Sequence, residues 1–266
     1  MKILHIGNTA GVAGVIAKYV DRLFNTRSRV VQRSNRVVFP VYGEVWGCGP
    51  KMFALKCLLM ARKFDVVHVH YFDKIVPYLR LLYPRKAIVL HYHGDDIRGK
   101  WSSRRKYWSR ADAIVYSTLD LLNDETPKHA VYIPNPVDTE IFHPACGKAK
   151  PKSAFHFSYD ADELAIEYAK RHRLELTIYN KHEHGVIPHL KLPEVLCQYE
   201  YYIDVKRAGD GKIGSALSKT GLEALACNLK VIRWDGKVIE GLPPENHPEN
   251  VAKQIFNIYQ KLKQVK

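Results

Sequence analysis

The sequence predicts an α/β protein made of two Rossmann-like, doubly wound domains. Short apolar runs alternate with longer segments of helical periodicity along the 266 residues. The runs are rich in β-branched residues, which is typical of strands covered on both faces of a parallel sheet. A stretch at 135–153 with three prolines, a glycine and several lysines interrupts the alternation once. Because such domains bind ligands at the carboxyl ends of their strands, we expect the two domains to face a cleft.

The first half shows six apolar runs and four helical segments. The predicted strands are 2–6, 37–39, 66–70, 87–91, 113–116 and 131–133, and the predicted helices are 12–24, 50–64, 75–82 and 102–109. Pro50 suits the first turn of its helix, where its missing N–H costs nothing.

The second half repeats the rhythm after the interruption. Its predicted strands are 154–158, 174–179, 201–205 and 230–234, and its predicted helices are 162–171, 192–199, 218–227 and 248–263. We therefore predict one Rossmann-like domain at 1–144 and a second at 145–247. The closing segment 248–266 is predicted to be a helix that packs back toward the first domain.

The charge is uneven. The chain has 41 Lys and Arg against 27 Asp and Glu, a formal net charge of +14. Residues 51–110 hold fourteen Lys and Arg and four Asp, with aromatic residues among them. Such a face suits an anionic partner, a membrane surface or a nucleic acid, or it is simply a solvated surface. No nucleic-acid-binding motif is present, so we expect no nucleic-acid partner.

The cysteine spacing, the length of the apolar runs and the first residues indicate the cellular compartment. The five cysteines form no C-x-x-C pair and predict neither a disulfide framework nor a zinc ribbon. No apolar run reaches the roughly 18 residues of a membrane span, and the first residues resemble a strand rather than a signal peptide. These features favour a cytoplasmic protein, with membrane contact through 51–110 as the alternative to a purely soluble one.

The first motif is the glycine-containing turn after the first strand, with Gly7, Gly11 and Gly14. Such glycines let backbone N–H groups approach an anion at a helix N-terminus. Thr9 stands where G-x-G-x-x-G requires glycine, and no acidic residue follows the second predicted strand, so a dinucleotide-dependent dehydrogenase is disfavoured. Close helix–strand packing is the alternative role for Gly11 and Gly14.

The second motif, H-Y-H-G-D-D-I-R at 91–98, directly follows a strand. Alternation along the strand puts His91 and His93 on one face, with His93 at the carboxyl end, where its imidazole can hydrogen-bond a sugar or phosphate oxygen. Asp95 lies in the loop that follows, and His93 and Asp95 are the candidate catalytic residues. His68 and His70, and likewise His182 and His184, also show H-x-H spacing, which suggests a metal site. The sequence places no third ligand, so we expect no metal.

The third motif begins a helix near 218. Thr220 and Gly221 offer backbone donors and the positive end of a helix dipole to a phosphate, and Lys219 adds a charge. Glu223, one turn into the helix, can accept both hydroxyls of a ribose. The alternative is a capping box, in which Glu223 bonds the backbone of Thr220.

Together these segments resemble the retaining GT-B glycosyltransferases of the group 1, family 4-like kind. The interdomain segment I-P-N-P-V-D-T-E-I-F-H-P at 133–144 is similar to the family's IPN-x-VD signature. The segment G-L-E-A-L-A-C-N at 221–228 resembles its donor helix. The first glycine turn and the strands ending at 70 and 93 resemble its N-domain in a more general way.

The resemblance implies transfer of a sugar from a nucleotide-diphosphate sugar with retention of configuration, without a cofactor or metal. It implies that Glu223 holds the ribose, that Thr220 and Gly221 face the diphosphate, and that His93 contacts the transferred sugar. It also implies that the Gly11–Gly14 turn borders the reacting groups. A lipid-linked or membrane-surface acceptor is one interpretation of the basic region.

The sequence departs from the family at three points, the simplest of which is Asn228 in place of the common glycine after the donor helix, a change that is compatible with a left-handed cap. Ser215 stands where the family usually has a second glutamate, and Asp210 is a substitute to consider. The usual cations of the C-domain opening are not recognisable, which leaves Lys206, Arg207 or Lys219 for the diphosphate. The other function class to consider is therefore a catalytically weak subunit that binds a nucleotide or a partner protein.

Overall fold

The structure is a computed structural model, and it describes residues 1–33, 42–144, 147 and 149–264. The chain forms two compact units. One unit consists of 1–136 together with 248–266, and the other consists of 137–247.

The first unit contains a parallel sheet in the order β3-β2-β1-β4-β5-β6-β7. Its strands are β1 Lys2–Ile6, β2 Arg27–Arg33, β3 Glu44–Trp46, β4 Val66–His70, β5 Ala87–Tyr92, β6 Ala113–Tyr116 and β7 Val131–Tyr132. Every residue of β4 and β5 is buried, as expected for central strands with helices on both faces. The chain leaves β1 toward one side of the sheet and β4 toward the other, so a topological switch point lies between them.

Five helices belong to this unit: α1 Val12–Phe24, α2 Pro50–Ala61, α3 Val76–Leu82, α4 Trp101–Trp108 and α9 Pro248–Gln264. Helix α9 buries Val251, Ile255 and Tyr259 beneath α1, and the rings of Phe24 and Phe256 stack with centroids 3.8 Å apart. The closing helix therefore packs on the first domain, as predicted.

The second unit contains a five-stranded sheet in the order β12-β11-β10-β8-β9, parallel except for β12. Its strands are β8 Lys150–Phe157, β9 Glu175–Tyr179, β10 Tyr199–Ile203, β11 Lys230–Ile232 and β12 Val238–Ile239, and its helices are α5 Asp162–Arg171, α6 Lys181–His184, α7 Leu192–Leu196 and α8 Lys219–Ala226. Helix α5 has acidic residues in its first turn and basic residues in its last, which complements its dipole. Here the switch point lies between β8 and β10.

The α/β class is confirmed, and most predicted elements are present. The sequence missed β2 and β3, and the strand predicted at 37–39 lies outside the described residues. Strand β8 begins at Lys150, inside the stretch interpreted as a linker. Cys197 is disulfide-bonded, which the spacing of the cysteines did not predict. Among the described residues, no helix is both long and apolar enough to cross a bilayer.

Candidate functional site

The N-terminus of α8 is capped by Ser218, whose Oγ accepts a hydrogen bond of 2.9 Å from the backbone N–H of Gly221. Ser218 is thus the N-cap, and Thr220 is the second residue inside the helix. The predicted alternative of a Thr220–Glu223 capping box is therefore wrong, because the cap lies two residues earlier. Glu223 is left to another role.

Glu223 is buried on α8, with its side chain only 2% exposed. Its Oε1 lies 2.9 Å from Nε2 of His189 and 3.1 Å from Nζ of Lys219. Burial alone would raise the pKa of this carboxyl, but Lys219 and His189 hold it below its ordinary value. A buried, ionised carboxylate is therefore already present where the donor motif predicts one.

Asp204 follows β10 and lies against the same helix end. Its Oδ2 accepts a 2.7 Å hydrogen bond from the backbone N–H of Ser218. A Cβ on Gly221 would come 2.3 Å from that oxygen, so the close approach of Asp204 requires glycine at 221. Burial raises the pKa of Asp204, and its bonds to Ser218 oppose that shift. Burial raises the pKa of Tyr159, just after β8, and the side chain of Thr220 opposes that shift.

These residues come from the carboxyl ends of β8 and β10 and from the start of α8. They therefore converge on the switch point of the second sheet, which is the usual ligand position in an open α/β sheet. The arrangement offers helix N–H groups, two hydroxyls, a carboxylate and a lysine. It can bind an anionic, hydroxyl-bearing ligand, with Asp204 limiting how closely a phosphate approaches the cap.

The substitute cations differ in availability. Lys206 is half-buried and lies three residues after β10. Its positive charge opposes the rise that burial causes in the pKa of Asp204. Arg207 is taken up by Glu163 and by the carbonyl of Asp160. Lys206 and Lys219 are therefore the better candidates for a diphosphate. Asp210 and Ser215 are both exposed.

The glycine turn of the first unit lies at the switch point between β1 and β4. Gly11 has φ 74° at the N-cap of α1, a left-handed conformation that favours glycine. Asn8 Oδ1 accepts from the backbone N–H of Gly14 at 3.0 Å. A Cβ on Gly14 would lie 2.1 Å from Cβ of Tyr42, so close packing explains Gly14.

The structure separates the roles of the two aspartates after β5. Asp96 accepts hydrogen bonds from the backbone N–H groups of His93 and Gly94 and so fixes the turn. Asp95 is exposed and pairs with Arg98 at 3.1 Å. The predicted catalytic candidate Asp95 thus points to solvent, and no role was predicted for Asp96.

His93 belongs to a layer of five histidines on one face of the first sheet, which we call the histidine cluster. Its members come from β1, β4 and β5 and from the first residue after β5: His5, His68, His70, His91 and His93. His5 pairs in register with His68, and His70 with His91.

Hydrogen bonds link the rings. Nε2 of His70 lies 3.1 Å from Nδ1 of His5, and Nδ1 of His70 lies 3.1 Å from Nε2 of His93. The Oγ of Ser117 contacts Nδ1 of His93 at 3.0 Å and Nε2 of His91 at 2.8 Å. His93 alone is partly exposed. A sugar hydroxyl would have to share or replace one of its bonds.

Burial keeps the cluster neutral. It lowers the pKa of His5 and of His93 to about 4 each. Burial, together with the neighbouring imidazoles, holds the pKa values of His68, His70 and His91 well below the usual range. Among the residues that the structure describes, none is a hydrogen-bond partner of Nε2 of His5, Nε2 of His68 or Nδ1 of His91. Each such buried atom costs about 1–3 kcal/mol.

Residues 12–141 match the family model described as Glycosyltransferase Family 4, which covers just under half of the chain. No curated protein matches the chain. The matched region includes Gly14 of the glycine turn, the histidine cluster apart from His5, and most of the interdomain segment 133–144.

Two solved structures have similar folds along nearly the whole chain. The sucrose-phosphate synthase of Thermosynechococcus elongatus is 13% identical with a TM-score of 0.55, over 99% of this chain and 90% of that one. The UDP-GlcNAc 2-epimerase of Neisseria meningitidis, bound to UDP-GlcNAc, is 13% identical with a TM-score of 0.57, over 98% of this chain and 100% of that one. The fold and the family match support the GT-B glycosyltransferase superfamily.

Proposed function

We propose that this protein is a glycosyltransferase that takes a sugar from a nucleotide-diphosphate sugar and transfers it with retention of configuration. The observation that carries the proposal is the buried carboxylate of Glu223, held ionised by Lys219 and His189 at the start of α8. An ionised carboxylate beside a helix N-terminus suits a ligand that combines ribose hydroxyls with phosphates.

The fold alone does not choose the reaction, since one structure of similar fold is an epimerase. The match of residues 12–141 to Glycosyltransferase Family 4 favours transfer.

In this proposal Glu223 accepts the ribose hydroxyls, and one of its contacts to Lys219 or His189 gives way as the nucleotide enters. Lys219 then faces the diphosphate together with Lys206 and Thr220, and the backbone N–H of Gly221 joins them if its bond to Ser218 Oγ opens. These groups stabilise the negative charge that develops as the diphosphate leaves, so catalysis consists mainly of positioning and charge stabilisation.

The first unit supplies the residues proposed for the sugar and acceptor. Burial keeps the imidazole of His93 neutral, so it can donate or accept one hydrogen bond with a sugar hydroxyl. The turn from Gly11 to Gly14 is proposed to border the reacting groups. Asp95, exposed and paired with Arg98, is proposed to act on an acceptor hydroxyl only after that pair opens.

The direct test is product analysis. The protein is incubated with UDP-, GDP- and ADP-sugars and an acceptor panel, and transfer is followed by mass spectrometry. NMR of the product should show the anomeric configuration of the donor sugar. An inverted anomeric centre would contradict the retaining mechanism, and hydrolysis or epimerisation without transfer would contradict the reaction class.

The second candidate is a catalytically weak subunit that binds a nucleotide. Two observations favour it: Ser215 occupies the position of the family's other glutamate, and Asp204 already bonds the cap of α8. Tight binding of a nucleoside diphosphate with no transfer to any acceptor would support this candidate.

We further propose that the acceptor lies at an anionic membrane surface. Helix α2 exposes Met52, Leu55 and Leu59, spaced at three and four residues along one stripe, and α3 exposes Leu81 at 76%. Exposed leucines surrounded by the basic residues of 51–110 suit insertion between lipid headgroups.

A further inference from the structure

Three members of the histidine cluster meet at the switch point between β1 and β4. His5 and His68 are direct neighbours across the two strands, and His70 is two residues further along β4 on the same face. One nitrogen from each ring lies within 4.8 Å of the other two. All three side chains are fully buried.

We propose that His5, His68 and His70 bind a transition-metal ion of the zinc class. Nδ1 of His5 and Nε2 of His70 are 3.1 Å apart. Two nitrogens on one tetrahedral zinc ion lie about 3.3 Å apart when the Zn–N bonds are about 2.0–2.1 Å. This ring pair therefore already has the spacing of two ligands, and small ring rotations bring His68 to the same ion.

In two of the three rings, His68 and His70, the remaining nitrogen has the kind of partner that metal-binding histidines need. Nδ1 of His68 lies 2.6 Å from the hydroxyl of Tyr259 on α9, and Nδ1 of His70 lies 3.1 Å from Nε2 of His93. Such contacts fix the tautomer and aim the other nitrogen at the ion. That other nitrogen in His68, Nε2, has no partner in the described part of the chain, and the ion would supply one.

The chemistry of the donors limits the ion. Neutral imidazoles suit Zn²⁺, Co²⁺, Ni²⁺ or Cu²⁺, whereas Mg²⁺ and Ca²⁺ prefer oxygen ligands.

A second triad, His70, His91 and His93, also brings its nitrogens within 4.8 Å. It is the weaker candidate for a structural ion, because His93 is partly exposed, whereas all three side chains of the first triad are fully buried. The site at His5, His68 and His70 would tie β1 to β4 and α9. Its role is therefore structural, and it does not depend on the proposed sugar transfer.

The test measures zinc in the full chain. The protein is expressed without a polyhistidine tag in zinc-supplemented medium, so that the ion enters during folding, and is purified without chelators. Elemental analysis should give about one zinc per chain. Unfolding and refolding with a chelator should lower the Tm, and refolding with Zn²⁺ but not Mg²⁺ should restore it.

Variants locate the ion. His5→Gln and His68→Gln should lose the zinc, and Tyr259→Phe, which preserves packing, should weaken its affinity about ten- to hundredfold. His91→Gln and the surface pair His182→Gln/His184→Gln should keep it. Zinc content near zero in the parent, full zinc in His5→Gln, or loss in His91→Gln alone would overturn the assignment. If His68→Gln fails to fold, the zinc affinity of Tyr259→Phe tests the assignment instead, and an unchanged affinity would overturn it.

Discussion

Nε2 of His189 lies 2.9 Å from Oε1 of Glu223, and the two residues are 34 positions apart in the chain. His189 comes from the short segment before α7, and Glu223 from the first turns of α8. Lys219 approaches the same oxygen from one helical turn away. The contact makes Glu223 part of a buried charged cluster rather than a helix cap.

Removing Lys219 should destabilise this cluster. In Lys219→Met the carboxylate keeps only His189 as a partner, so we expect the free energy of unfolding to fall by about 2 kcal/mol. Adding Glu223→Gln should recover part of the loss, because no buried charge is then left unpaired. Urea denaturation measures both effects.

Lys191→Met is the matched control. Lys191 and Glu194 form an exposed pair, which should contribute less than about 1 kcal/mol. Equal losses in the two lysine variants would show that the Glu223 cluster is no stronger than a surface ion pair.

Substitution of Gly221 should disturb the start of α8. The Cβ in Gly221→Ala would meet Asp204 at 2.3 Å. We expect a loss of about 1–3 kcal/mol despite the higher helix propensity of alanine, together with weaker nucleotide binding. Gly47→Ala, where no atom lies within 4 Å, is the control and should change little. An unchanged or raised Tm in Gly221→Ala would contradict the packing argument.

Acid should unfold the metal-free protein through the histidine cluster. A histidine with a lowered folded-state pKa stabilises the fold fully above its unfolded value of about 6.5, and that contribution is lost as the pH falls toward the folded value. For His5 and His93 the folded value is about 4. Stability measured in chelator should thus fall steeply from pH 6.5 to pH 4.

The slope of the unfolding free energy against pH gives the number of protons that the protein takes up on unfolding, at about 1.36 kcal/mol per pH unit for each proton. We expect several protons, and a shallower slope in His91→Gln. A stability that stays flat between pH 6.5 and pH 5 would mean that these imidazoles are not buried and neutral.

The exposed stripe of α2 should control binding to anionic vesicles. Leu55→Ser/Leu59→Ser should reduce sedimentation with phosphatidylserine-containing vesicles, and raised salt should reduce it further. Leu190→Ser, an exposed leucine of the second unit, should have no effect. Vesicle binding that changes neither with the leucine substitutions, nor with the salt concentration, nor with the anionic lipid content would exclude this face as a membrane contact.

The sequence was sufficient for the repeating architecture because buried strands such as β4 and β5 are short segments rich in valine, isoleucine and leucine. It failed at β2, whose sequence R-S-R-V-V-Q-R buries only its last part, and at β3, which has three residues. Sheet order was also hidden, since pairing between β1 and β4 joins residues more than sixty positions apart.

The site shows the same limit. The donor helix was visible as a motif, but its true cap was not, because Thr220 and Ser218 are both good N-cap residues and only the backbone distinguishes them. His189 was missed, since a single histidine before a short helix carries no spacing signal. The H-x-H pair of β4 was noticed, but its third ligand candidate, His5, comes from a strand far away in the sequence.

The most direct test of the central claim is calorimetric titration of UDP, GDP and ADP into the parent protein and Glu223→Gln. Glu194→Gln serves as the control, because Glu194 is exposed on α7. We predict that one nucleotide binds the parent and the control alike and that Glu223→Gln loses at least about tenfold in affinity, the equivalent of about 1.4 kcal/mol. Equal binding by folded Glu223→Gln, or no binding by the parent, would contradict the account.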